Sequence, residues 1–353
     1  MFYLNLKILN YEQYLSTNRL GLTIKYQKIK FILFLSIIVF LLITVSIFSL
    51  SKGSVLIDKK DIWLAIFQKG EELNQTIIWE LRLPRLIASL LVGSSLGMSG
   101  ALLQGMLKNG LASPYLLGIS AGSGLVIVTF ITFGFSQLFI PLASWSGAIL
   151  TTLLVFILAK SSNKISIERL ILGGVAISSL FGAIQATLLL QAEDGRIQAA
   201  LTWLIGSLNA RGWNEIRITW IPILLALTIS ILLARQLNLL SLGEELSMSL
   251  GNSLFKSRCI IGAVATLLAA SAVSIGGLIG FIGLIVPHFS RLLIGNDFKY
   301  ILPFSALIGA LTLSSADLIS RLGPIEIPVG IVTALLGAPV FMIILYKRTN
   351  YKK

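Results

Sequence analysis

Charge is bunched along this chain, and between the bunches lie uncharged runs long enough to cross a hydrocarbon core about 30 Å thick at about 1.5 Å of rise per residue. Lipid offers peptide groups no hydrogen-bond partner, so a run of this length must satisfy its own backbone, which selects the α-helix. Phe31 to Leu50 gives 20 uncharged residues, Leu86 to Leu107 gives 22, Leu170 to Ala192 gives 23, Ile218 to Ala234 gives 17, Tyr300 to Ala316 gives 17 and Ile327 to Tyr346 gives 20. Each reads as one helix. The 51 uncharged residues between Lys108 and Lys160 must hold two spans, divided near Gly134 to Gln137 and Pro141. The 32 between Arg258 and Arg291 read as two short or broken helices meeting at Gly276 and Gly277. The expectation is therefore an all-α polytopic membrane protein of about ten transmembrane helices. A soluble core is excluded, because only 12% of the residues are charged against about 25% in soluble domains.

Ten spans leave both termini on one side. Positive loops are retained in the cytoplasm, and with the N-terminus inside, the inner segments hold 18 of the 28 Lys and Arg and the outer ones 10. The chain then divides into a cytoplasmic segment over 1–30, a transmembrane domain over 31–346 and a cytoplasmic tail over 347–353. The first apolar run is too long for a secretory signal and lacks a small-x-small cleavage site, so it reads as a retained helix. The net charge of +13 is met by this topology and by anionic lipid headgroups, which leaves no reason to invoke nucleic acid. The single Cys259 excludes a disulfide framework.

Small residues recur at helical spacing. Gly93, Gly97, Ser99 and Gly100 lie in the second span with Gln104 beyond them, and Gly276, Gly277 and Gly280 in the broken region. Such spacing lets helix backbones approach closely in lipid, and it serves either packing or a pathway wall. Within the spans the ionisable groups are nearly confined to Asp317 and His288, both near predicted helix ends, which disfavours coupling to an ion gradient. No G-x-x-x-x-G-K-[ST] loop occurs, so the energy for active transport would come from another subunit. An intramembrane hydrolase would need a sheltered base or several metal ligands, and the lone histidine beside Arg291 supplies neither. No cofactor or metal is expected in this chain. Arg82 and Arg85 sit at the outward end of the second helix and Arg321 follows the ninth, so packing can bring three guanidiniums to one outer face. There they could pair with carboxylates of a partner, or with Glu80 and Glu326 of the same chain.

Many short motifs occur together in order: Arg82-Leu83-Pro84-Arg85 leading to Leu91-Val92-Gly93, Ser99 through Gln104, Asn109 through Gly118, Leu172 through Ala176, Trp203 with Gly206-Ser207-Leu208, and Leu242-Gly243-Glu244. Gly280 through His288 closed by Arg291, then Asp317, Arg321, Pro328 through Thr333 and Gly337 through Phe341, complete the set. In this order they resemble the FecCD family, the permease subunits of bacterial ABC importers for ferric siderophores, haem and cobalamin. The resemblance implies the type II ABC importer permease architecture. It also implies a second permease subunit, identical or related, two ATPase subunits that bind ATP and Mg, and a periplasmic or lipid-anchored substrate-binding protein. It implies docking of that binding protein at Arg82, Arg85 and Arg321. The segment holding Leu242, Gly243, Glu244, Ser247, Met248, Leu250 and Gly251 resembles the loop that couples to the ATPase. Pro287, His288 and Arg291 would brace the same cytoplasmic face. The expected cargo is a ferric siderophore in a bacterial plasma membrane, with haem or cobalamin as the alternative within the family and an ion-coupled secondary transporter as the rival of another class. Two positions depart from the family pattern: Gly110 stands where the elbow usually has proline, and Ser247 where the coupling loop usually has alanine.

Overall fold

The computed structural model describes residues 29–53, 55, 57–161 and 164–350. The terminal segments assigned from the sequence to 1–30 and 347–353 therefore lie largely outside the described residues. Seven helices are long and apolar enough to cross a membrane, and three shorter apolar ones, Ile119–Thr132, Ile282–Ile294 and Val329–Ile344, bring the number to ten. In chain order the helices are α1 (Ile29–Ser51), α2 (Lys59–Ile66), α3 (Glu72–Thr76), α4 (Leu83–Leu107), α5 (Ile119–Thr132), α6 (Ile140–Ala159), α7 (Ile167–Leu190) and α8 (Asp194–Ile205). They continue with α9 (Trp213–Leu232), α10 (Ala234–Ser241), α11 (Glu244–Ser249), α12 (Leu254–Gly276), α13 (Ile282–Ile294), α14 (Phe298–Ser320) and α15 (Val329–Asn350). A π-helical turn over Ile77–Arg82 runs into α4. A two-residue antiparallel ribbon, β1 (Lys160–Ser161) with β2 (Lys164–Ile165), joins α6 to α7.

Helix α4 is the central post. From Pro84 to Leu107 nearly every side chain is buried, and α12, α13 and α14 surround it. Apolar side chains give helices no net drive to associate in lipid, so contact must come from close approach and hydrogen bonding. Glycine supplies the approach. A Cβ on Gly93 would strike the carbonyl oxygen of Gly309, one on Gly97 that of Ser305, and one on Gly100 that of Gly283. Ser99 adds a bond across the seam, its Oγ donating to the Ala265 carbonyl at 2.8 Å. These residues face neighbouring helix backbones. Gly93, Gly97 and Gly100 thus lie in close contact with neighbouring helix backbones, and Ser99 is bonded to one.

Helices α1, α7 and α15 stand on the outside with large apolar side chains uncovered, among them Phe40, Leu172, Leu180, Leu335 and Met342. The rings of Tyr300 and Phe304 hold Phe31 of α1 against α14 at centroid separations of 4.9 and 5.2 Å.

The region between Arg258 and Arg291 corrects the sequence reading. Helix α12 is not short: it has 23 residues and begins at Leu254, with Arg258 inside it and 1% exposed. From the sequence Arg258 reads as a boundary, because an unpaired charge within a span is costly. It is paired, as described below. The break comes after Gly276, where Gly277 takes φ +74° and its α-carbon faces the Trp203 carbonyl too closely for any side chain. Gly280, by contrast, has open space around its Cβ position. The uncharged runs do not predict helix α8. Asp194 and Arg196 interrupt its apolar pattern, so it escapes a search for uncharged runs.

Alanine is favoured over glycine in a helix by about 1 kcal/mol, and overpacking a tight contact costs about 1–3 kcal/mol. Gly100→Ala should therefore lower the melting temperature of the detergent-purified protein. Gly182→Ala, with nothing within 4 Å of its Cβ position, should leave it unchanged or raise it. Equal behaviour of the two variants in a thermal-shift assay would contradict the packing role.

Candidate functional site

Three neighbourhoods collect the residues singled out in the sequence. At one end of the bundle, α1 finishes, the π turn enters α4 and α14 stops. There Arg85 donates from Nε to Asp317 Oδ1 at 2.9 Å, and its Nη2 lies 2.8 Å from that oxygen and 2.6 Å from Glu326 Oε1. Arg321 Nη2 pairs with Asp317 Oδ2 at 3.0 Å and donates to Ser49 Oγ at 2.6 Å. Arg82 donates from Nη1 to the carbonyls of Leu50 at 2.6 Å and Ser51 at 3.1 Å, and from Nη2 to that of Val55. The fold thus brings the three arginines together, as helix order suggested, but none is an open cation. Arg82 is 6% exposed and Arg85 9%. The carbonyls that Arg82 binds belong to the end of α1 and the connection after it, groups left without a partner where a helix stops. Its partner is not Glu80. Burial lowers the Arg321 pKa, Asp317 and Glu326 oppose that, and Arg85 adds to it; a guanidinium stays charged under all of these. Asp317, 1% exposed, is the carboxylate held between two cations, and Glu326 is the acid at the rim, its side chain 34% exposed.

The second neighbourhood lies where α4 meets α13. Proline has no N–H, so Pro287 inside α13 leaves the Gly283 carbonyl without its usual helical donor. Gln104 meets the gap: its Nε2 approaches the Gly283 oxygen at 3.5 Å and donates to that of Leu284 at 3.0 Å, while its Oε1 accepts from Arg291 Nη1 at 2.5 Å. Gln104, Pro287 and Arg291 are therefore one hydrogen-bonded unit, seated on the Gly100–Gly283 contact. His288 and Lys108 line a cavity of roughly 990 Å³ beside it, with Arg291 and Phe341 on other walls. The adjoining elbow does not depend on the glycine at 110. Lys108 closes α4 in the left-handed region at φ +48°, Asn109 N–H reaches back to the Gln104 carbonyl, and Asn109 Oδ1 accepts from Leu111 N–H at 3.0 Å. Gly110 is not among the residues with positive φ. The asparagine side chain holds the turn, and the freedom of Gly110 is not used in this conformation.

The third neighbourhood is α10 and α11, at the same end as the cavity. Gly243 at φ +119° and Gly251 at φ +79° bracket α11, conformations that L side chains rarely adopt. Between them Leu246, Met248 and Leu250 are exposed, as is Leu242 before them. Ser247 points inward, fully buried, and its Oγ accepts from Asn252 Nδ2 at 2.9 Å, while Asn252 Oδ1 accepts from Ser257 Oγ at 2.6 Å. A hydroxyl in place of the usual methyl thus ties α11 to the start of α12. Glu244 ends on Arg258, with Oε1 2.7 Å from Nη2. The sequence reading singled out neither Asn252 nor Arg258. A signal for Arg258 was present: Ser253, a good helix-opening residue, lies five positions before it, which places the arginine inside a helix.

The profile of the FecCD transport family matches residues 41–347. The iron(3+)-hydroxamate import system permease protein FhuG of Bacillus subtilis is 39% identical over 324 residues, covering 88% of this chain and 96% of that protein. The vitamin B12 import system permease protein BtuC of Vibrio cholerae is 38% identical over 290 residues, covering 80% and 86%. Among solved structures, one described as an inward-facing conformation of a metal-chelate type ABC transporter superposes with a TM-score of 0.80 at 33% identity, covering 88% of this chain and 97% of that one.

Removing one partner of a buried ion pair costs about 3–5 kcal/mol, whereas a solvent-exposed pair contributes about 0–1 kcal/mol. Asp317→Asn, which leaves Arg85 and Arg321 facing each other, should therefore lower the melting temperature far more than Glu326→Gln. Comparable losses in the two variants would show that Asp317 is not the carboxylate the cluster depends on.

Proposed function

The chain belongs to the FecCD transport family, and from that premise we propose that it is the permease subunit of an ATP-driven importer that carries a ferric siderophore across a bacterial plasma membrane. It has the type II ABC importer permease architecture. The observation that carries the reading is the α11 end. A six-residue helix, bracketed by glycines in conformations only glycine takes easily, holds Leu246, Met248 and Leu250 out into solvent. Exposed apolar side chains on a held helix suit insertion into a groove of a partner. That partner is an ATPase subunit, which binds ATP and Mg and supplies the energy that this chain, lacking a phosphate-binding loop, does not.

In this reading the α11 end is cytoplasmic, as are both termini, and the Arg85 end faces outward. The uncovered apolar faces of α7 and α15 support a second permease subunit, identical or related, across a central pathway. A substrate-binding protein docks over Arg82, Arg85 and Arg321. Because these arginines already hold internal partners, docking works by exchange. A carboxylate of the binding protein replaces the partly exposed Glu326 at Arg85 while buried Asp317 holds both guanidiniums in place. Closure of two ATPases on ATP then draws the two α11 helices together and alternates access to the pathway, with no covalent change to the cargo. The iron-hydroxamate relative favours a siderophore, and the cobalamin relative keeps the second cargo in the test.

Reconstitution in liposomes with the ATPase and the binding protein should give ATP-dependent uptake of labelled ferric siderophore above that of haem and cobalamin. Leu246→Asp should reduce copurification of the ATPase by about tenfold, the loss expected from about 1.4 kcal/mol. Uptake by this chain alone, driven by an ion gradient without ATPase, would overturn the assignment.

A further inference from the structure

Arg258 belongs to none of the surfaces described above, yet it joins two of the chain's connections. Its guanidinium lies inside α12, 1% exposed, beyond the reach of either an external partner or the lipid headgroups. From Nη2 it pairs with Glu244 Oε1 at 2.7 Å, at the first residue of α11, and from Nη1 it donates to the Ile165 carbonyl at 3.0 Å, at the end of the ribbon between α6 and α7. Its Nε has no hydrogen-bond partner among the described residues. Through Arg258 the link is one ion pair and one hydrogen bond, beside the Ser247–Asn252–Ser257 bonds that also tie α11 to α12. At its far side Ile165 is buried in the main apolar cluster, and the next residue, Ser166, is the N-cap of α7, its Oγ accepting from Arg169 N–H at 3.3 Å. Displacement of Ile165 is therefore displacement of the start of α7, one of the least covered helices in the bundle.

We propose that Arg258 is a positioning residue that makes α11 and β2 move as one body, so that force applied to α11 reaches the first turn of α7. This rests on the reading of α11 as the ATPase-docking helix. The physical basis is the geometry of the fork: a planar guanidinium presents two donors in fixed relation, so one cannot follow Glu244 without carrying the other. The contact with the Ile165 carbonyl is buried, which keeps it from being exchanged for water, and the contact with Glu244 is partly buried. Glu244 itself is 41% exposed on its side chain, so loss of the arginine leaves a carboxylate that solvent can reach and the fold tolerates the change.

The test uses Arg258→Met, which keeps length and removes the fork, and Arg258→Lys, which keeps the charge toward Glu244 and gives up the planar second donor. In the reconstituted complex Arg258→Met should assemble with the ATPase and hydrolyse ATP within twofold of the parent while uptake per ATP falls at least tenfold. Arg258→Lys should recover part of that ratio. A merely structural role would lower uptake and hydrolysis together, and a parent-like ratio in Arg258→Met overturns the proposal. Spin labels at Lys160→Cys and Ser249→Cys, in a Cys259→Ser background, provide a second readout on the permease alone. The distance distribution should be narrow with Arg258 present and broaden at least twofold in Arg258→Met, and an unchanged width also overturns it. This second arm does not require transport. If the parent complex imports no ferric siderophore, the assignment of function fails while the distances still decide the link.

Discussion

In lipid, two apolar helices gain little by touching, and the structure depends on how α4 overcomes this. Gly93, Gly97 and Gly100 bring its backbone against the carbonyls of Gly309, Ser305 and Gly283, and Ser99 and Gln104 add hydrogen bonds to α12 and α13. Dispersion and polar contact at this range replace the hydrophobic drive that water would give. The same constraint explains Gln104. A proline within a membrane helix uncovers a carbonyl, and in hydrocarbon that carbonyl needs a donor from a neighbour. The seam permits Pro287 in α13, and Pro287 in turn fixes what position 104 must do.

Charge obeys a parallel rule at the two ends of the seam. Each buried guanidinium is held by groups of its own chain: Arg82 by helix-terminal carbonyls, Arg85 and Arg321 by Asp317, Arg258 by Glu244 and Ile165. Both ends are thereby stiff where they meet α4. Adaptable surface remains outside, at Glu326 on one side and on the exposed leucines and methionine of α11 on the other. Under the proposed function, this division lets partners pull on the edges without opening the centre.

The ten spans were legible because a charge inside a bilayer is expensive, so uncharged runs mark helices almost wherever they occur. The rule failed where its premise failed. Arg258 is inside a span, and because Glu244 and Ile165 satisfy it, the charge did not end the helix as expected. Helix α8 was invisible for the opposite reason: its charges lie at an exposed first turn, where they cost nothing. The arginine cluster was half legible. Helix order puts residues 82, 85 and 321 at one end, but the Arg85–Asp317 pair spans 232 residues of sequence, and only packing decides that these side chains turn inward. The Gln104–Pro287–Arg291 unit was likewise present only as separate motif letters. Gly110 shows the limit of reading a departure as flexibility, since the side chain of Asn109 does locally what a proline ring would have done.

The central claim is that the α4 seam stays rigid while the α11 end moves. Hydrogen exchange by mass spectrometry on the assembled transporter, with and without ATP, tests it most directly. Residues 93–104 of α4 should exchange slowly and equally in both conditions, whereas 160–166 and 244–251 should change with nucleotide. An ATP-dependent change across 93–104 as large as that across 244–251 would contradict the account.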